Sequence, residues 1–160
     1  MIKKIILFII LFQGSGFAYK SSDLLYLGSG INNIFRPNST SEEFRIEYKS
    51  HISWWRFRPF GGISVTTNKQ TFIYPGISLE ILDKSPIALA INFAPGYYFK
   101  GDGKDLGFPL EFRSGIELAV LKKFTRLGIN FSHTSNASLS KKNPGLETLV
   151  FFIAIPIKYY

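Results

Sequence analysis

Near the end of this 160-residue chain, His133 and Ser135 stand two residues apart, and Glu147 follows across a turn-like segment. These are the residue types that nucleophilic acyl chemistry uses. A serine hydroxyl is a poor nucleophile alone. It needs a base within hydrogen-bond reach, and the base needs a third group that fixes its tautomer. In an extended strand, residues two apart share a face at roughly 6 to 7 Å between Cα atoms, a gap that two leaning side chains can bridge. Asn136, Asn143 and backbone amides near Ala137 or Gly145 are the available donors for an oxyanion. A lone His-x-Ser in a strand is more often structural than catalytic. The parity of the surrounding residues is what raises this one above that background.

Along this strand Leu127, Ile129, Phe131, His133 and Ser135 fall on one face, and Gly128, Asn130, Ser132, Thr134 and Asn136 fall on the other. After the loop 137–146 the same parity continues through Glu147, Leu149, Phe151, Ile153, Ile155, Ile157 and Tyr159. Two apolar faces therefore end, at one shared loop, in the polar groups of a hydrolase.

Similar alternation runs through the earlier chain. Phe44, Ile46 and Tyr48 alternate with Glu43, Arg45, Glu47 and Lys49, and Trp55, Phe57, Pro59, Ile63 and Val65 lie opposite Arg56, Arg58, Ser64 and Thr66. Ile87, Leu89, Ile91 and Phe93 face away from the small residues Ala88, Ala90, Ala94 and Gly96, and Phe108 to Leu121 repeats the pattern against Glu111, Arg113, Gly115 and Glu117. Polar or Gly-rich turns separate the segments, as at 38–41, 67–70, 83–86 and 101–105. No stretch after residue 18 sustains a helical period. The expectation is an all-β chain, an eight-stranded antiparallel transmembrane β-barrel of the outer membrane, with apolar residues toward lipid and a mixed-sign ion-pair network inside. The competing architecture is a soluble lipocalin-like barrel with the two faces exchanged. Small residues on the second face and aromatics near the strand ends, where an interfacial girdle would sit, favour the membrane barrel.

Residues 1–18 place Lys3 and Lys4 before a short apolar run and end in Gly16-Phe17-Ala18. That pattern predicts a secretory signal peptide cleaved after Ala18, leaving 19–160 as one barrel domain, with a retained N-terminal anchor as the alternative. Cysteine is absent, so an exported domain of this size closes by other means than disulfides. With both termini in the periplasm, the loop 137–146 is extracellular and the trio sits at the outer rim on the lipid side. The formal charge of +8 suits an anionic lipid surface. Lys141 and Lys142 are either solvated loop charges or contacts to lipid phosphates. His51, in an inward turn beside Trp54 and Trp55, reads as an interfacial residue. No metal cluster, phosphate-cradling glycine loop or nucleic-acid motif is present in the sequence, so no metal, cofactor or nucleic acid is expected.

The run Phe131-Ser132-His133-Thr134-Ser135-Asn136-Ala137, followed by Asn143-Pro144-Gly145-x-Glu147, resembles the active-site signature of the outer-membrane lipid A 3-O-deacylases, the PagL-type enzymes. The resemblance implies a Ser-His-Glu triad facing the outer leaflet, with Ser135 as nucleophile, His133 as base and Glu147 as orienting acid. Asn143, Asn136 and Gly145 would support the oxyanion. The implied substrate is lipid A of lipopolysaccharide, from which an ester-linked acyl chain is hydrolysed. A non-catalytic structural or adhesion barrel and a lipid A acyltransferase are the alternatives, and a homodimer is left open. Tyr159-Tyr160 resembles the aromatic ending of outer-membrane barrels, while Pro156 predicts a local irregularity of pairing.

Overall fold

The computed structural model describes residues 22–159 apart from 85 and 123–124; the expected signal peptide and Tyr160 lie outside the described residues. Eight antiparallel strands, β1 (Ser22–Asn32), β2 (Ser41–Lys49), β3 (Phe57–Thr66), β4 (Thr71–Lys84), β5 (Ile87–Phe99), β6 (Leu110–Lys122), β7 (Thr125–Ser135) and β8 (Leu146–Tyr159), follow one another in order, and β8 closes on β1. Closure leaves no sheet edge, so strand backbone donors find acceptors without water. The connections 33–40, 67–70, 100–109 and 136–145 gather at one end, here called outer. The longer inner turn, 50–56, holds Trp54 and Trp55, both strongly exposed.

Side-chain alternation assigns the two faces. Ile46, Ile73, Ile91, Ile116, Leu118, Leu127 and Phe151 project outward and are exposed, whereas Glu43, Arg45, Lys49, Glu80, Arg113, Glu117 and Arg126 are buried in the lumen. A charged interior inside an apolar exterior is the polarity of a membrane barrel and the reverse of a lipocalin. The lumen is filled by side chains. Lys49 Nζ bridges Glu80 at 3.0 Å and Glu117 at 3.1 Å, and Arg126 binds Glu80 at 3.0 Å and Asp83 at 2.8 Å. Arg45 meets Glu43 at 2.6 Å, and Arg113 meets Glu47 at 2.8 Å. Tyr26 and Tyr74 donate to Glu117 and Glu47.

One residue departs from the sequence expectation of an ion-paired interior. Glu111 is fully buried, yet neither of its carboxylate oxygens has a hydrogen-bond partner among the described residues. Pro156 behaves as expected. The β1–β8 register shifts between Asp23, opposite Lys158, and Leu24, opposite Pro156, so an extra residue is accommodated beside the proline. His51 pairs with Asp23 at 2.8 Å, tying the inner turn to the start of β1.

Lys49→Met leaves two buried carboxylates short of a cation and is expected to destabilise the barrel by about 3 to 5 kcal/mol. Ile91→Lys, on the outward face, is expected to cost about 2 to 4 kcal/mol in a bilayer. Denaturant unfolding in lipid vesicles measures both. An Ile91→Lys barrel as stable as wild type in vesicles would mean that this face does not meet lipid.

Candidate active site

β7 and β8 pair so that His133 stands directly opposite Glu147. That register follows from the apolar rows below the pair, because Phe131 faces Leu149, Ile129 faces Phe151 and Leu127 faces Ile153. A slip of one residue would turn both apolar rows into the polar lumen. The outward faces of both strands thus bring imidazole and carboxylate together, with Nδ1 of His133 3.0 Å from Oε1 of Glu147. A carboxylate at Nδ1 selects the tautomer with the proton on that nitrogen, which frees Nε2 to act as a base. The imidazole is about half exposed on the outer surface, and Glu147 is more shielded.

Ser135 ends β7 on the same outward face and is half-buried. It sits opposite Phe112, and His133 sits opposite Ser114, so a small residue lies beside the imidazole on β6. Immediately after Ser135 the chain turns through Ala137 and Ser138, with φ of 51° and 66°. Two successive left-handed residues make a tight reversal that begins two residues past Ser135.

The outer loop 136–145 is fixed from within by Asn136. This residue is fully buried, and its Nδ2 donates to the carbonyls of Leu106 at 2.8 Å and Lys142 at 2.9 Å. Its backbone N–H donates to Oδ1 of Asn143 at 3.1 Å. The donors of Asn136 are therefore committed to loop structure, and its side chain is not among those available to a reacting oxygen. Asn143 is held by its oxygen, and among the described residues its Nδ2 has no hydrogen-bond partner. Gly145 has φ of 57°, and a Cβ placed there would lie 2.7 Å from Cε1 and 3.4 Å from Nε2 of His133. The absence of a side chain lets the 144–145 turn lie against the edge of the ring that carries Nε2.

Loops from elsewhere complete the rim. Ile34 donates its N–H to the Glu147 carbonyl at 3.1 Å, and Phe35 packs on Phe131 with ring centroids 6.3 Å apart. Both loop lysines are exposed, and Lys142 bridges to Asp105 at 2.8 Å between the third and fourth outer loops. The Lys142 ammonium, backed by the Gly107 N–H, holds the Asp105 carboxyl below the usual carboxylate range. The bridge is therefore in place at neutral pH and is lost as pH falls through that lowered value.

Among solved structures, the crystal structure of the outer membrane enzyme PagL superimposes with a TM-score of 0.62 at 20% identity, over 84% of this chain and 99% of that one. Two de novo designed transmembrane β-barrels superimpose nearly as well, both with a TM-score of 0.57, at 12% and 10% identity and over 86% and 89% of this chain. They cover 97% and 99% of the designed chains. Structural likeness at this level establishes the barrel and says nothing of chemistry. No curated protein sequence matches the chain. A family model described as lipid A 3-O-deacylase (PagL) matches residues 27–156. The chain belongs to the PagL family.

Within this PagL-family barrel, sequence reasoning brought His133, Ser135, Glu147, Asn143 and Gly145 to one place, and they do lie on one rim. It missed Arg36 and Lys104. Arg36 donates from Nη1 to the Gly145 carbonyl and from Nη2 to the Pro144 carbonyl, both at 3.3 Å, and Lys104 Nζ donates to the same Gly145 oxygen. Both sit in loops remote in sequence from the motif, and no local signal marks them. Gly145→Ala strains the left-handed turn and drives a methyl group into the imidazole. Its turnover per folded barrel is expected to fall by about 100-fold, the size of effect that a 1 Å misplacement produces. Esterase assays on refolded barrels, with heat-modifiability as the check on folding, measure it.

Proposed function

We propose that this protein hydrolyses an ester-linked acyl chain, the 3-position hydroxyacyl chain, from lipid A of lipopolysaccharide in the outer leaflet of the outer membrane. One observation carries the reading. An imidazole and a carboxylate 3.0 Å apart stand on the lipid-facing side of the barrel rim, with a serine two residues further along the same face. Polar groups on a lipid face are unfavourable away from headgroup depth. A purely structural barrel has no use for the three together. Export by a signal peptide ending at Ala18 delivers the barrel to that membrane.

In the proposed mechanism Ser135 Oγ attacks the ester carbonyl carbon while His133 Nε2 takes its proton, and Glu147 holds the Nδ1–H and stabilises the imidazolium. The tetrahedral oxyanion is met by Asn143 Nδ2 and by the backbone N–H of Ala137. Collapse breaks the bond to the sugar oxygen, which receives the proton from Nε2, and leaves an acyl-serine. Water, deprotonated by the same nitrogen, then releases the fatty acid. Ser114 also neighbours His133, but only Ser135 adjoins the turn that carries these donors. No cofactor takes part in these steps.

Mass spectrometry of lipid A from cells making the protein should show loss of one hydroxyacyl mass. The loss should vanish for Ser135→Ala and His133→Ala, shrink for Glu147→Ala and persist for Ser114→Ala. Transfer of the chain to another lipid in place of free fatty acid would make the enzyme an acyltransferase.

The oxyanion role of Asn143 has a cleaner test in this structure than alanine alone. Aspartate keeps the oxygen that accepts from the Asn136 N–H but removes the amide donor and adds a negative charge. Asn143→Asp should therefore keep the loop and lose about 10² to 10³ in rate, the effect of deleting one oxyanion donor. Near-normal turnover per folded Asn143→Asp barrel would leave Asn143 as a loop residue only.

A further inference from the structure

We propose that Arg36 and Lys104 are positioning residues for the base: two cations, from the first and third outer loops, that converge on the Gly145 carbonyl and hold the 144–145 turn against the His133 ring. The inference rests on the reading of His133 as the base. Arg36 spans two consecutive carbonyls, with Nη1 on Gly145 and Nη2 on Pro144, both at 3.3 Å. Lys104 adds a second cation to the Gly145 oxygen and also donates to Oδ1 of Asn33 at 3.3 Å. Asn33 is itself fixed. It is fully buried, takes a left-handed φ of 60°, and donates from Nδ2 to the Ser39 hydroxyl at 2.6 Å and to the Ser39 carbonyl at 3.2 Å.

Among the described residues neither cation forms a salt bridge, and their acceptors are neutral oxygens. Charge neutralisation therefore does not explain their placement, whereas the geometry of the turn does. A carbonyl held by two charged donors cannot rotate freely, since hydrogen bonds to charged groups are roughly twice as strong as neutral ones. Fixing that peptide fixes the Gly145 Cα, and the room beyond this Cα is taken by the Cε1–Nε2 edge of His133. Asn136 restrains the loop from its inner side through Leu106, Lys142 and Asn143. Arg36 and Lys104 restrain it from the other side. The base is then seated only when the first, third and fourth outer loops are docked together, although the three triad side chains come from β7 and β8 alone.

The test uses full-length barrels refolded in detergent: wild type, Arg36→Met, Lys104→Met, the double variant, and the charge-conserving Arg36→Lys and Lys104→Arg. Each is assayed per folded molecule on lipid A and on a neutral p-nitrophenyl ester that carries no phosphate. The expected result for the double variant is a kcat lowered by about 10- to 100-fold on both substrates, as for a misplaced catalytic group. KM should be nearly unchanged, the charge-conserving variants should recover most of the rate, and the His133 Cε1–H resonance should move in the methionine variants. An unchanged kcat overturns the proposal. So does a defect confined to KM on lipid A and absent on the neutral ester, because the cations would then bind a substrate phosphate. Should the double variant not refold, either single variant paired with its charge-conserving partner reads the same split. A Ser135→Ala barrel that still turns over the ester would instead remove the triad reading itself, and this proposal with it.

Discussion

Hydrocarbon offers no hydrogen bonds, and nearly every feature of this protein follows from that constraint. A backbone crossing lipid must satisfy its own donors and acceptors, and a sheet does so only by closing. Closure of β8 onto β1 achieves it here. Once the sheet is closed, the two-residue side-chain period divides every strand between lipid and lumen. Most of the charged side chains of the strands then turn inside, where an opposite charge or a hydrogen bond offsets their burial. Lys49, shared between Glu80 and Glu117, and Arg126, shared between Glu80 and Asp83, show the interior meeting that demand with few charges in a small volume.

The same constraint makes the outward position of His133, Ser135 and Glu147 informative. A polar trio in the middle of the lipid face would be strongly unfavourable, whereas the rim is where polar side chains are tolerated. The barrel contributes rigidity and register. The outer loops contribute what strands cannot, namely amides and a carbonyl-bearing turn pointing back over the strand ends. Two designed barrels share the architecture to nearly the degree that the PagL crystal structure does. The scaffold alone therefore does not specify chemistry.

Much of this was legible before any coordinates. Alternation along 127–136 and 147–159 told which residues share a face, because the period of a strand is two regardless of what surrounds it. The parity match predicted that Glu147 would reach His133, and the facing register with a 3.0 Å contact is what that match requires. Pro156 announced a break in the β1–β8 ladder because it lacks a donor wherever it stands. These are local properties of the chain, or become so once closure is assumed.

What local sequence could not determine depends on segments distant in the chain meeting in space. Asn136 looked like an oxyanion donor because it follows the serine. The packing of Leu106 and Lys142 around it spends its amide instead. Glu111 has the right parity, and only the arrangement of neighbouring strands leaves it without a hydrogen-bond partner among the described residues. Arg36 and Lys104 carry no mark of the contacts they make, since a cation's partner is chosen by which loops the closed barrel brings together. Strand identity, facing and the juxtaposition of His133 with Glu147 were written in the sequence by periodicity and residue type. The docking of the 144–145 turn against the His133 ring was decided by tertiary structure, because it is made of contacts between loops that only barrel closure brings together.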